Sequence, residues 1–381
     1  MKSYHVCVYA IAKNEKQFVD RWMDSMKEAD QIIVTDTGST DGTVERLREL
    51  GAIVYEETIQ PWRFDHARNR SLEHVPENTD ICVCTDLDEV FSPGWRDALE
   101  QAWHSGATRA RYLYNWSHHP DGSPDLQLYY TKVHARNSYK WSYPVHEYLI
   151  YEGTTPEQTV LVENMVLDHY PDTKKSRSSY LPLLEMAVKE NPIDSRMLYY
   201  LGREYLYSKH WQKCIDTMHR RLNLPFASWE EERSASMRWM AYSYSMLGKP
   251  SEAYRWYFRA IAETPFMRDP YVEFAQFAYK EQNWPLVFFL TQQALQIREK
   301  SKTFANMGYA WDHTPEDLCA IACWNLQMFP RAEQHAKNAL RITPDNERLK
   351  NNLRMIQLSL EHLSTNPQHS DPQKSDGAPS S

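Results

Sequence analysis

The stretch Ile81-Cys82-Val83-Cys84-Thr85-Asp86-Leu87-Asp88-Glu89 decides the fold. A short apolar run leads straight into three acids within four residues. Pro76-Glu77-Asn78-Thr79-Asp80 ahead of it has turn composition, so the run reads as a strand. Asp86 and Asp88 are two apart, and at a strand end they can point the same way. Carboxylates that converge at the end of a buried strand repel each other unless something neutralises them. A hard divalent cation such as Mg2+ or Mn2+, itself bound to substrate phosphate, is the usual answer. The alternative is a solvated acidic turn.

Outward from this stretch, residues 1 to about 170 alternate strands and helices. Strands are expected over Val6–Ala12, Gln31–Thr35, Ala52–Tyr55 and Ile81–Thr85. Helices are expected over Gln17–Ala29, with Phe18, Trp22 and Met26 on one face, and over Thr43–Leu50 and Ala67–His74. Further strands follow at Arg109–Trp116, Leu126–His134 and Leu161–Leu167. Alternation of this kind implies an α/β fold with a mainly parallel, Rossmann-like sheet and right-handed crossovers. Ligands of such sheets bind outside the carboxyl ends of the strands. Three polar clusters fall there: Lys13-Asn14-Glu15, Asp36 through Gly42, and Asp86-Leu87-Asp88-Glu89.

From about 176 the pattern becomes helix after helix. Ala241 and Ala275 are 34 apart, as are Ala260 and Ala294, and 34 is the tetratricopeptide period. The next copies, Ala320 and Ala339, are each displaced by 45, which places one insertion of 11 residues within Lys300–Pro315. An earlier unit carries Leu201-Gly202 and Tyr205, and units end near Pro225, Pro265 and Pro344. The expected organisation is an α/β domain over 1–172, an all-α helical-repeat solenoid over 176–362, and a disordered Ser-, Pro-, Gln- and Asp-rich tail over 363–381. A repeat array suits peptide or protein partners, or a homodimer contact; the alternative is a helical cap that only stabilises the first domain.

Composition is that of a globular chain of 381 residues, 42% hydrophobic and 25% charged, long enough for two cores. A net charge of -8 gives no general pull toward nucleic acid. The six cysteines form no Cys-x-x-Cys pair, so buried thiols in a reducing compartment are expected and zinc is not. The N-terminus shows no signal-peptide core, and no run of about 18 apolar residues predicts a membrane span. A cytoplasmic location is the expectation.

Four segments carry a family resemblance: Ala12-Lys13-Asn14-Glu15, Val34 through Thr43, Asp65-His66-Ala67-Arg68-Asn69, and Thr85 through Glu89. In order and spacing they resemble the family 2 glycosyltransferases of the GT-A fold. With helical repeats attached, the chain is similar to a bacterial subgroup that includes peptide S- and O-glycosyltransferases, among them the S-glycosyltransferases of glycosylated bacteriocins. The resemblance implies a metal-dependent, inverting hexosyl transfer from a nucleotide-diphosphate sugar, UDP-linked by preference. Mn2+ or Mg2+ would be the cofactor. The favoured acceptor is a peptide or protein side chain; a saccharide or a hydroxylated nucleobase stays open.

By the same resemblance, Ala12, Asn14 and Glu15 lie near the base and ribose, and Asp36 hydrogen-bonds one of them. Asp36 has the alternative role of capping the Gly38–Gly42 turn. Arg68 faces the nucleotide or its phosphates, or else pairs with Asp65 or Asp36. Asp88 is the metal ligand, with Asp86 nearer the ribose or reaching the metal through water. Val145-His146-Glu147 supplies an acid–base candidate, Glu147 deprotonating the acceptor, although His-Glu stands where the family has Glu-Asp. An acceptor thiol would need less help, its pKa being about 8.5. His169, after the last strand, suits a late histidine ligand to the metal; the alternative is a hydrogen-bonded histidine at a domain junction. His118 and His119 read as a hairpin tip without a role.

Two other classes compete. A binding or scaffold protein on an inactive transferase domain would be expected to lack one of the acids, and none is missing. A nucleotidyltransferase would need a Gly-rich phosphate loop near the N-terminus, and Ala10–Lys16 contains no Gly.

Overall fold

A computed structural model describes residues 4–119, 121–172, 179–301 and 304–365. The chain divides into two compact units, 1–192 and 193–381. The tail expected over 363–381 lies, from 366 onward, outside the described residues.

The first unit holds strands β1 (Val6–Ala12), β2 (Gln31–Asp36), β3 (Ile53–Glu56), β4 (Ile81–Cys84), β5 (Glu89–Phe91), β6 (Arg109–Asn115), β7 (Gln127–Ala135), β8 (Tyr139–Ser142), β9 (Tyr148–Tyr151) and β10 (Thr159–His169). Its helices are α1 (Lys16–Met26), α2 (Thr43–Glu49), α3 (Phe64–Glu73), α4 (Trp95–Ala102) and α5 (Tyr180–Glu190). Eight strands form one sheet in the order β3-β2-β1-β4-β7-β6-β10-β5, and β8 and β9 form a separate hairpin. β7 and β5 run against the other six, so the sheet is mainly parallel.

All seven residues of β1 are buried, because it lies between β2 and β4 with both faces covered. Alternation sorts them. Val6, Val8, Ala10 and Ala12 face the core built with Val19, Trp22 and Met26 of α1, whereas Cys7 and Tyr9 join Cys82, Cys84, Leu72 and Trp141 on the other side. Phe18, expected on the α1 core face, is only partly buried at the edge of the first cluster.

The second unit is all-α: α6 (Ser195–Tyr207), α7 (Trp211–Leu222), α8 (Glu230–Met246), α9 (Pro250–Glu263), α10 (Arg268–Lys280), α11 (Trp284–Gln296), α12 (Thr314–Asn325), α13 (Phe329–Ile342) and α14 (Glu347–Thr365). The repeat alanines 241, 260, 275, 294, 320 and 339 fall one to a helix from α8 to α13, all buried where consecutive helices pack. The inserted residues separate α11 from α12 and include a single 3-10 turn at Gly308–Ala310. Gly202 is required by close approach, since a Cβ there would run into the Met218 side chain of α7. These are tetratricopeptide-like paired helices. Among the described residues, no helix is long and apolar enough to cross a membrane.

Candidate active site at the carboxyl edge of the sheet

Two loops at the ends of β1 and β2 are laced together by side-chain-to-backbone bonds. The Ala12 carbonyl accepts from the Thr37 N–H at 2.9 Å and the Thr37 hydroxyl at 3.1 Å. Asn14, in the left-handed region at φ 55°, donates its N–H to Ser39 Oγ at 2.8 Å and accepts from the Thr40 N–H at 2.8 Å. The Glu15 N–H donates to Thr43 Oγ1 at 2.9 Å. Gly42 has φ 90°, and a Cβ there would lie 2.9 Å from Lys16 Nζ, so glycine suits both the turn and its neighbour.

Asp36 caps this turn, as its alternative reading proposed. Oδ1 accepts from the Gly38 N–H at 2.9 Å and the Ser39 N–H at 2.8 Å, and Oδ2 accepts from the Ser39 hydroxyl. Three of about four lone-pair sites are thereby used. Ala12, Asn14, Glu15 and Asp36 thus belong to one small lattice.

A second group gathers around Arg68. Helix α3 is pinned on one side by Ser71 Oγ, which donates to the Ala10 carbonyl at 2.9 Å. On the other side Asn69 exchanges two bonds with the Trp141 backbone, at 2.8 and 2.9 Å. Arg68 is thereby held inside, 5.0 Å above the Trp141 ring. Its Nε donates to Glu147 Oε1 at 2.6 Å and an Nη donates to Asp86 Oδ1 at 2.8 Å. This corrects the expected pairing with Asp65 or Asp36: Asp65 is taken by Arg63 at 2.9 Å, and Asp36 by its own turn.

Lys132 completes the network, and the sequence reading missed it. Its Nζ lies 2.9 Å from Asp86 Oδ2 and 3.4 Å from Glu89 Oε1. Pairing of Ala110 with Val133 and of Tyr112 with Tyr130 sets one residue of β6, Arg111, against two of β7, a bulge at Thr131–Lys132. Bulges re-aim side chains, which breaks the simple alternation that would have flagged a buried lysine. Glu89 also accepts from Tyr114 OH at 2.9 Å and from the Asp86 N–H at 2.8 Å. Burial works against charge on Asp86, but Arg68 and Lys132 overcome it and hold the carboxyl well below the usual carboxylate range. Burial pushes Glu89 upward, with Lys132 opposing.

Asp88 and His169 meet through strand register. β5, which the sequence reading did not anticipate, pairs antiparallel with β10 so that Glu89 opposes His169. The Tyr170 N–H then donates to the Asp88 carbonyl at 2.8 Å, and Asp88 Oδ2 faces His169 Nε2 at 3.4 Å. His169 Nδ1 sits 3.1 Å from the Trp116 carbonyl, which accepts its proton and leaves Nε2 as the lone-pair nitrogen of the neutral ring. Two acceptors facing each other at this distance need a proton or a cation between them. Burial lowers the imidazole pKa, but Asp88 more than offsets this and leaves it raised. A carboxylate oxygen and an imidazole nitrogen backed by a carbonyl form a donor set that suits Mn2+ or Mg2+, with phosphate oxygens and water to complete the shell.

His146 and Glu147 lie in the loop between β8 and β9, where Tyr143 and His146 both adopt positive φ, 82° and 53°. Glu147 Oε1 is committed to Arg68, and no partner of Oε2 is found among the described residues. His146 instead sits beside the Tyr180 ring, 5.7 Å between centroids. His118 does lie at a hairpin tip, bridged to Pro124, yet it reaches back: its Nε2 is 2.8 Å from Asp168 Oδ1 and its ring stacks on Tyr170 at 5.1 Å.

Residues 7–142 match the model of Glycosyl transferase family 2. This family 2 segment runs from β1 to the end of β8 and so contains Asn14, Asp36, Arg68, Asp86, Asp88 and Lys132; Glu147 and His169 lie beyond it. The chain is 32% identical over 109 residues to a protein of Rickettsia bellii (strain RML369-C) named an uncharacterized glycosyltransferase, 28% of this chain and 35% of the relative. It is 24% identical over 161 residues to the lipopolysaccharide core biosynthesis glycosyltransferase LpsC of Rhizobium meliloti (strain 1021), covering 38% of this chain and 57% of LpsC. The chain therefore spans about a third of the length of the Rickettsia relative and just over half of LpsC. Among solved structures, glucosyl-3-phosphoglycerate synthase from Mycobacterium tuberculosis in complex with Mn2+, UDP and glucosyl-3-phosphoglycerate aligns at 26% identity. That alignment has a TM-score of 0.26 and covers 29% of this chain and 44% of the synthase, too low to carry an argument.

Proposed function

We propose that this protein is a metal-dependent, inverting glycosyltransferase that moves a sugar from a nucleotide-diphosphate donor, UDP-linked by preference, to a peptide or protein side chain. The observation that carries the reading is the approach of Asp88 Oδ2 and His169 Nε2 to 3.4 Å beside the Arg68–Asp86–Lys132 network, at the edge of a family 2 segment. A divalent cation held by Asp88 and His169 would supply neutralisation of the leaving diphosphate.

The chain's own residues divide the remaining work. The loops carrying Ala12, Asn14, Glu15 and Asp36 bind base and ribose, their lacing keeping the cleft in shape for a flat ligand. Arg68 and Lys132 keep Asp86 ionised, so it can accept from a ribose hydroxyl. Glu147 takes the acceptor proton through Oε2, with Arg68 holding the carboxylate in place on Oε1. Inversion needs that base across the sugar carbon from the leaving group. His146, in the same strained loop, lines the acceptor side.

A peptide acceptor is favoured because stacked helix pairs suit an extended chain. A saccharide acceptor is the second reading, favoured by the likeness to LpsC, a lipopolysaccharide core glycosyltransferase. Thermal unfolding with UDP and Mn2+ tests the donor assignment: ligand at about 100 times its dissociation constant should stabilise the fold by roughly 2.7 kcal/mol. No response to any nucleoside diphosphate with Mn2+ or Mg2+ sinks it. A donor-hydrolysis screen across nucleotide sugars then names the sugar, and peptide and saccharide acceptors compete in the same assay.

A further inference from the structure

Away from the sheet edge, three ligand-type side chains converge in the helical unit. Cys319 and Cys323 stand one turn apart on α12, and His335 comes from α13. One ligand atom from each lies within 4.8 Å of the others, the sole such group of three or more among the described residues. Both thiols are buried, in a wall made by Ala320, Ala332, Ala336 and Ile356.

The imidazole is oriented from behind. His335 Nδ1 is 2.5 Å from Glu316 Oε2, and Glu316 Oε1 accepts from Asn338 Nδ2 at 3.2 Å. A proton on Nδ1 leaves Nε2 as a lone pair pointed at the thiols, the carboxylate–histidine arrangement that supports metal ligation. From α11, the Gln292 amide nitrogen lies 3.2 Å from Cys319 Sγ and 3.1 Å from His335 Nε2. One donor thus meets both lone pairs, and marks the point on which they converge.

We propose that Cys319, Cys323 and His335 form a binding site for a soft divalent cation, zinc by preference, with Glu316 as the positioning residue behind His335. Two thiolate donors select zinc over Mg2+ and Mn2+, which favour oxygen. Tetrahedral coordination sets sulfur and nitrogen ligands about 3.5–3.8 Å apart, so the group needs to close by no more than about an ångström. A flip of the Gln292 amide, giving up the 3.3 Å bond that Arg331 donates to Oε1, presents Oε1 as a fourth donor in place of the nitrogen. Each thiol that binds releases its proton to water as its sulfur–metal bond forms.

The position gives the site a purpose. The 34-residue period holds from α8 to α11 and is broken by the insertion before α12. Gln292, Cys319 and His335 lie on three consecutive helices spanning that break, so a bound ion staples the last repeats onto the regular ones. Sequence reading set zinc aside because no Cys-x-x-Cys is present. The pattern here is Cys-x-x-x-Cys on one helix, with the histidine 12 residues further on.

The test uses the full chain, purified without a histidine tag. We expect about one zinc ion per chain to survive dialysis, and cobalt replacement to give thiolate-to-metal charge-transfer absorption. The double variant Cys319→Ser/Cys323→Ser should lose both signals. Should it fail to fold, His335→Gln, with helical circular dichroism retained, should lose zinc in its place. Glu316→Gln should weaken zinc binding roughly 10- to 100-fold without removing the cobalt–thiolate band. Asp88→Ala should leave zinc content unchanged, which separates this site from the sheet edge. Absence of the band on cobalt addition, together with alkylation of Cys319 and Cys323 at the same rate with and without zinc, overturns the proposal.

Discussion

The strand-end cluster and the thiol–imidazole cluster are both groups of ligand atoms, yet they are built in opposite ways. At the sheet edge, the acids Asp86, Asp88 and Glu89 come from one short segment and arrive with Arg68 and Lys132 beside them. Between α12 and α13, two thiols sit in an apolar wall with the His335 imidazole and the Gln292 amide beside them. The difference follows from the free acid forms. A carboxyl group is ionised at neutral pH and cannot be buried without counter-charge, whereas a protonated thiol is a small, nearly apolar group. A buried acid cluster therefore comes with basic residues beside it, as Asp86 and Glu89 do, and buried thiols need no such company.

Asp88→Ala breaks the comparison most sharply. Transfer should fall at least about 100-fold and lose its dependence on Mn2+ or Mg2+, while the fold and any thiol-bound metal persist. Turnover retained in that variant removes the metal assignment. Next in size, Arg68→Met strips Asp86 and Glu147 of a shared partner. Denaturant titration should show the first unit losing about 3 kcal/mol, the low end for a broken buried pair because Lys132 still holds Asp86. The transition of the helical unit should not move, and a shift of both would mean the two regions are not separable in this way.

Glu147→Gln should reduce transfer to a hydroxyl by roughly 100-fold while UDP still binds. If donor hydrolysis and transfer both continue, the base is another group. The smallest effect concerns the scaffold beneath the cluster. His134 is buried, with Nε2 2.8 Å from Tyr9 OH and Nδ1 2.7 Å from the Ala135 carbonyl. Burial lowers its pKa to about 3, with Arg109 and Arg136 acting in the same direction, and Tyr9 and Tyr139 are the titratable rings against it. The unfolded chain binds this proton at about pH 6.5 and the folded chain does not, so stability is lost as pH falls from there toward about 3. His134→Gln should flatten that slope in melting temperatures taken between about pH 7 and pH 5. An unchanged slope would show that other groups set it.

How much of this could be read from the chain depended on the range of the contacts involved. Strands β1 to β4 and helices α1 to α3 were legible because each is a local pattern of alternation or helical period. The place of Asp86 and Asp88 just past a strand was legible for the same reason, and that of His169 because it ends a visible strand. The insertion of β7 between β4 and β6 was not, since nothing local in Gln127–Ala135 names its neighbours. Lys132 was hidden twice, by a partner 46 residues away and by the bulge that turns it inward. The zinc-type cluster was hidden because its third member sits on another helix, where spacing rules written for loops do not apply. Arg68 was found, but its partners depend on how α3 is pinned between β1 and β8.

The register of β5 against β10 also sets an order of events. Asp88 and His169 are 81 residues apart, and only the pairing of Glu89 with His169 makes them neighbours. A chain still being synthesised has its acids long before it has the imidazole that answers them. Closing so long a span is among the slow steps of folding. We therefore expect a chain cut before β10 to lack the Asp88–His169 pair, and with it the metal ligation proposed above, whereas a chain cut after β10 keeps both residues.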